Sequence, residues 1–205
     1  MNIFSEILNE NSLIETKRLI IHKFELNAKV IIDLFEIYSN ESNVIGYSKQ
    51  FKDIQEFAIY TKEKIRIHQE EINGIISYLI KHKKDNKYIG VRNIILDGTY
   101  TYDNNRKDNN NNIISEIIIN KNYWNNSYAE ESSIAIFNAL KKHKIKHIVT
   151  FINKFNLPAI KLNKKLDFHG IDRYMLLENF NYNEDSLMHT SDIHNSHIFA
   201  KKLND

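Results

Sequence analysis

The sequence predicts one α/β domain: a central twisted, mixed β-sheet of about seven strands with about four helices packed on it. Three observations carry that reading. Short β-branched runs, such as residues 75–81 and 113–119, alternate with longer runs whose apolar residues recur at helical spacing. The sharpest change of period falls between Ile113 and Leu140, which reads as strand, short polar loop, helix. Finally, 205 residues with 42% hydrophobic and 26% charged suit a single domain over residues 1–205, long enough to bury roughly 70 per cent of its unfolded surface.

The elements follow in order. Residues 1–12 are a polar lead-in, and 15–24 alternate well enough for a first strand. Asn27 is placed to cap a helix to about Ser39, with Val30, Ile31, Leu34, Phe35 and Tyr38 on one face. Asp53 is placed to cap a second, to about Gln69, with Phe57, Ile59, Tyr60, Ile65 and Ile67 inward. A hairpin comes next: strands 75–81 and 88–96 around the turn 83–87. Residues 98–112 are polar and Asn-rich and read as a long flexible loop. After the strand 113–119 and its helix come a strand at 147–152, a helix at 156–166 with Pro158 in its first turn, a strand at 168–177, and a last strand at 196–202.

Composition bounds the function. The formal net charge of +2, with both signs interspersed, argues against a nucleic-acid partner, and no run is long enough to span a bilayer. No cysteine is present, which excludes a thiolate nucleophile and Cys-based zinc sites. The nine histidines form no metal set: His143 and His147 straddle a helix end and a strand start. The amino-terminal residues carry no signal-peptide pattern, so a cytoplasmic location is expected.

The loop before the central helix is where chemistry is expected. The first N–H groups of a helix lack partners inside it and sit at the positive end of its dipole, so this junction can hold an anion. Ser127 and Glu130 also fit the S-x-x-E capping box, which needs no ligand. Both readings stand on the residues alone.

Several segments, correctly ordered, resemble one family. Thr16-Lys17-Arg18-Leu19-Ile20-Ile21 resembles the T-x-R-L-x-L opening strand of the GNAT acyl-CoA N-acyltransferases, closest to the branch with the ribosomal-protein alanine acetyltransferases. Lys87-Tyr88-Ile89-Gly90 is similar to its x-x-I-G strand. The run from Tyr123 to Glu131 is similar to Y-W-G-K-G-Y-A-T-E, that branch's pyrophosphate loop, and the run from Asn156 to Phe168 to N-x-x-A-I-x-L-Y-x-K-x-G-F. The resemblance implies a GNAT-like fold and transfer of an acetyl group from the cosubstrate acetyl-CoA to an amine, on a protein N-terminus or a small molecule, with no metal. It implies that the strand through Ser115–Ile119 splays from its neighbour and that the pantetheine arm pairs with backbone at Ile118 and Ile119. Asn125, Asn126, Ser127, Tyr128 and Ala129 would cradle the diphosphate, and Asn156 would anchor the arm's amide or a water, with a plain helix cap as its alternative.

The departures are specific. Asn125 and Ser127 replace the two loop glycines, and Asp167 replaces the glycine before Phe168. Asn163 stands where many relatives have the tyrosine that protonates the departing thiolate, and an amide cannot act as that acid. Glu116 is the candidate general base, with an ordinary solvent-facing strand carboxylate as the alternative. The lost glycines and Asn163 also admit a non-catalytic binding module of the same fold. The basic cluster Lys141, Lys142 and Lys144 admits an RNA-binding protein. Monomer and homodimer are both compatible with the sequence.

Overall fold

The computed structural model describes residues 12–41, 51–69, 75–96, 112–143, 145–180 and 196–203, with the backbone alone at 66–69 and 177–180. Most of the lead-in, of the Asn-rich stretch, and of residues 39–52 and 179–194 lies outside the described residues. In chain order the strands are β1 (Leu13–Glu15), β2 (Leu19–Lys23), β3 (Ile75–His82), β4 (Lys87–Leu96), β5 (Asn112–Ile119), β6 (His147–Asn153), β7 (His169–Ile171) and β8 (Ser196–Lys202). The helices are α1 (Ala28–Tyr38), α2 (Ile54–Gln69), α3 (Tyr128–Lys141), α4 (Leu157–Lys165) and α5 (Arg173–Phe180). This is the mixed sheet with helices that the sequence implies; the described residues alone hold eight strands and five helices.

The differences have local causes. The first strand divides in two, because the Thr16 hydroxyl accepts the Leu19 N–H at 2.9 Å and closes a tight turn between β1 and β2. The strand expected at 168–177 stops after Ile171; Asp172 accepts the Met175 N–H at 2.7 Å and starts α5 instead. Asn112 does not belong to a loop: it is buried in β5, with Oδ1 2.9 Å from His147 Nδ1. The caps at Asn27 and Asp53 form as expected, accepting from Val30 N–H at 3.0 Å and from Gln55 and Glu56 N–H at 2.8 Å.

Among the described residues the eight strands form one sheet in the order β1-β2-β3-β4-β5-β6-β8-β7. Neighbours are antiparallel except β5 and β6, which run parallel. One face carries α3 and α4 over a core of Ile113, Ile136, Phe137, Leu140, Ile148 and Leu166. The other carries α1 and α2 over Val30, Leu34, Phe57, Leu79 and Val91, with Leu176 of α5 further along. Ile59, expected inward, is exposed, and so is Ile134 of α3, whose inward stripe is completed by Ser132 and Ser133. Gly90 answers a packing need: a Cβ there would lie 2.4 Å from the Ile118 carbonyl oxygen and 2.6 Å from Ile119 Cδ1.

Candidate active site

The sheet opens between β5 and β6. Their pairing covers Asn112, Ile113 and Ile114 against His147, Ile148 and Val149 and then ceases, so Ser115 and Thr150 are the first residues past the branch point. The Asn120 N–H donates to the Ile89 carbonyl at 2.7 Å, which fixes the alternation along β5: even-numbered residues turn their backbone groups to β4 and odd-numbered ones to the opening. Of the two residues expected to pair through their backbone, Ile119 turns its groups to the fork, as Ile117 does, while Ile118 turns its own to β4. The Ile119 carbonyl already accepts the Trp124 indole N–H at 2.7 Å, which leaves its N–H turned to the gap.

Helix α3 starts beside this opening. Of the two readings of this junction, the capping box lacks its Ser127 side-chain bond to a helix N–H; the Ser127 side chain instead bonds to the Glu130 carboxylate. Ser127 has φ 59° and ψ 18°, in the left-handed region. Asn125 has φ 60° and Asp167 φ 61°. All three positions where the chain lacks an expected glycine thus hold a backbone that glycine adopts most easily. The first helical bond runs from Glu131 N–H to the Ser127 carbonyl at 2.9 Å, so the N–H groups ahead of it point out of the helix start. Asn125, Asn126 and Ser127 are exposed there, while Tyr128 and Ala129 are half-buried. The Asn126 amide folds back and donates to the Trp124 carbonyl at 2.8 Å, which stiffens the loop.

A clamp holds this helix start in place. Glu131 Oε1 accepts from the Thr16 hydroxyl at 2.6 Å and the Arg18 N–H at 2.9 Å, and Oε2 accepts from Arg18 Nε at 2.6 Å. Desolvation alone would raise the Glu131 pKa, but these bonds hold it below the usual carboxylate range. The Arg18 guanidinium also lies 4.3 Å from the Tyr128 ring centroid, and buried His82 sets Nε2 2.9 Å from the Tyr128 hydroxyl. Lys165 pairs with Glu130 at 2.6 Å and draws its pKa down, so the second first-turn carboxylate is also matched by a cation.

The candidate catalytic residues lie on opposite faces of the fork. Glu116, opposite Asn93, lies on the α1/α2 face, where Asn93 Nδ2 donates to Oε2 at 3.3 Å. The residue is exposed, yet desolvation by the surrounding chain raises its pKa, against the opposing pull of Asn93 and of Lys64. Asn163 is buried on the α3/α4 face with both ends of its amide engaged: Oδ1 accepts from the Thr150 hydroxyl at 3.1 Å and Nδ2 donates to the Ala159 carbonyl at 3.0 Å. Asn156 caps α4, its Oδ1 accepting the Ala159 N–H at 3.2 Å.

Sequence reasoning missed a polar seam across the fork's base on that same face. Arg92 of β4 is 2% exposed; Nη1 donates to Ser115 Oγ at 2.6 Å and Nη2 to Ser133 Oγ, and the guanidinium lies 5.2 Å from the Phe137 ring centroid. Ser133 donates in turn to the Ala129 carbonyl at 2.6 Å. An arginine inside a strand that is otherwise mostly apolar, and two serines at core positions of an amphipathic helix, were the available signals. Among the described residues, the groups of three or more His, Cys, Asp or Glu that a metal needs are absent, and no helix is long and apolar enough to cross a membrane.

The acetyltransferase (GNAT) domain family matches residues 18–169. No curated protein matches the chain. Among solved structures, a GNAT-family acetyltransferase from Bacillus anthracis superposes with a TM-score of 0.62 at 15% identity, covering 94% of this chain and 99% of that one. The ribosomal-protein-S5-alanine acetyltransferase of Vibrio fischeri gives 0.62 at 11%, covering 94% and 97%. The ribosomal L7/L12 α-N-protein acetyltransferase in complex with coenzyme A gives 0.64 at 13%, covering 93% and 97%. At such identities these likenesses speak for the fold.

Proposed function

The chain belongs to the GNAT acetyltransferase family, and on that premise we propose that it is an N-acetyltransferase that moves an acetyl group from acetyl-CoA to a primary amine. The observation that carries this is the fork: pairing of β5 with β6 ends at Ile114 and Val149, beside a helix start whose left-handed loop turns free N–H groups outward. The residues fit the cosubstrate. Backbone N–H groups from Asn125 to Ala129 are suited to a diphosphate, and the odd-numbered backbone of β5 is suited to an extended amide arm. Acetyl-CoA supplies a thioester-activated acetyl group. The chain supplies proximity and a base, because an aliphatic amine must lose a proton before it can act as a nucleophile. Glu116 fits that task, since its raised pKa brings a carboxylate closer to the working range of a general base.

The acceptor approaches from the α1/α2 face, where Glu116 lies. Two of the solved structures above are named as acetyltransferases of ribosomal proteins, one of them specifically as an α-N-protein acetyltransferase, which favours a protein N-terminus as acceptor. The locked amide of Asn163 favours one competing reading, a fold retained for binding without turnover. Calorimetric titration with acetyl-CoA, followed by turnover against N-terminal peptides and small amines, separates the two. Binding with turnover supports the transferase; binding without turnover on any amine supports the module; no binding at millimolar acetyl-CoA removes the transferase reading.

A further inference from the structure

Arg92 is a buried cation held by β5 and α3 hydroxyls rather than by a counter-ion. Among the described residues no carboxylate pairs with it; its side-chain partners are two serine hydroxyls, and Nε has no partner at all. Burying a charge without a counter-ion is costly, and a methionine of similar size would fill the same space without that cost. Desolvation lowers its pKa to about 9, so the guanidinium still carries its proton at neutral pH. Its place is specific. Ser115, which it grips, is the first β5 residue past the branch point, and Thr150, which grips Asn163, is the matching residue of β6. Both side chains share the α3/α4 face, so one flank of the opening has a positive charge behind it and the other a neutral amide.

We propose that Arg92, acting through Ser115, is a positioning residue that keeps the fork electropositive, so that a thiol seated there is held as its thiolate. This rests on the acetyl-transfer reading and completes its charge balance. The amine nitrogen bonds to the acetyl carbon, its surplus proton passes to Glu116, the carbon–sulfur bond breaks, and sulfur keeps the electron pair. Asn163 cannot protonate the sulfur, because its amide has no acidic proton to give. An unpaired guanidinium in a low-dielectric interior stabilises that anion and leaves its proton to be taken up from water after release.

The test reads the thiol itself. Coenzyme A is bound to the wild-type protein and to Arg92→Met, and the thiolate absorbance of the bound ligand is followed against pH. Desulfo-coenzyme A, which lacks the thiol, serves as the binding control. The expected result is a titration midpoint about one pH unit below that of free coenzyme A in the wild type, and a return to the free value in Arg92→Met. Affinity for desulfo-coenzyme A should stay within about twofold, since that ligand has no charge for Arg92 to feel. Should Arg92→Met fold poorly, Ser115→Ala loosens the guanidinium and is expected to give an intermediate midpoint. If desulfo-coenzyme A binds while the wild-type midpoint equals the free value, the role of Arg92 is overturned and the transferase reading stands. If neither ligand binds the wild type, both fall together.

Discussion

Replacing Ser127 distinguishes a capped helix start from a glycine-like loop. In the left-handed region an L-residue carries a penalty of about 1–2 kcal/mol, and Ser127 sits there with φ 59°. Ser127→Gly removes that penalty but gives the unfolded chain extra freedom, worth about 0.4–1 kcal/mol. The expected net effect is stabilisation by about 0.5–1 kcal/mol, which for a chain of this length raises Tm by about 1–4 °C. Ser127→Ala is the companion. It keeps the strained dihedral and loses a hydroxyl that caps no N–H, so its expected effect stays within about 0.5 kcal/mol. A working capping box would instead cost about 1 kcal/mol on that change. Thermal and urea unfolding of both variants are the assay. A destabilised Ser127→Ala together with an unimproved Ser127→Gly would refute the left-handed geometry and reinstate the cap. Asn125→Gly should gain less than Ser127→Gly, because asparagine tolerates this region better.

Three further outcomes are expected. Gly90→Ala should lower the urea midpoint by the equivalent of about 1–3 kcal/mol, because the new Cβ meets backbone of β5 at 2.4 Å and the strands must part. Glu131→Gln should cost about 1–3 kcal/mol near neutral pH by weakening the clamp to Thr16 and Arg18. Because the folded pKa of Glu131 lies below its ordinary value, this stability is present above that value and is lost as pH falls through the folded one; the gap between wild type and variant should close in acid. Glu116→Gln should lower kcat/KM by about 10²–10⁴-fold and remove the acid limb of its pH profile, a limb displaced upward in the wild type because desolvation raises that carboxyl.

The fold was legible in the sequence where local signals agreed. A β-branched apolar run gave way to helical spacing between Ile119 and Tyr128, and the structure turns from strand to helix there. Asn27 and Asp53 start α1 and α2 as their cap chemistry dictates. Errors arose where a side chain rewired a local preference: Thr16 divided the first strand, Asp172 started a helix inside an expected one, and the fit of Ser127 to a capping box concealed its left-handed backbone. The motif residues were visible, but their physical roles were not. Thr16 and Arg18 matter through Glu131, 113–115 residues away in the chain, and Gly90 matters through the Ile118 carbonyl. The polar seam at Arg92 was hidden because pairing across three elements has no sequence periodicity.

Acetyl-CoA is to be held by backbone groups in the fork and at the start of α3. Amide hydrogen exchange of the protein with and without acetyl-CoA reads those groups one by one. Slowed exchange at Ile117 and Ile119 and across Ser127 to Glu130, with β2 and β8 unchanged, is the expected result. Acetyl-CoA binding that leaves those amides exchanging as before, or that protects a different part of the sheet, would contradict it.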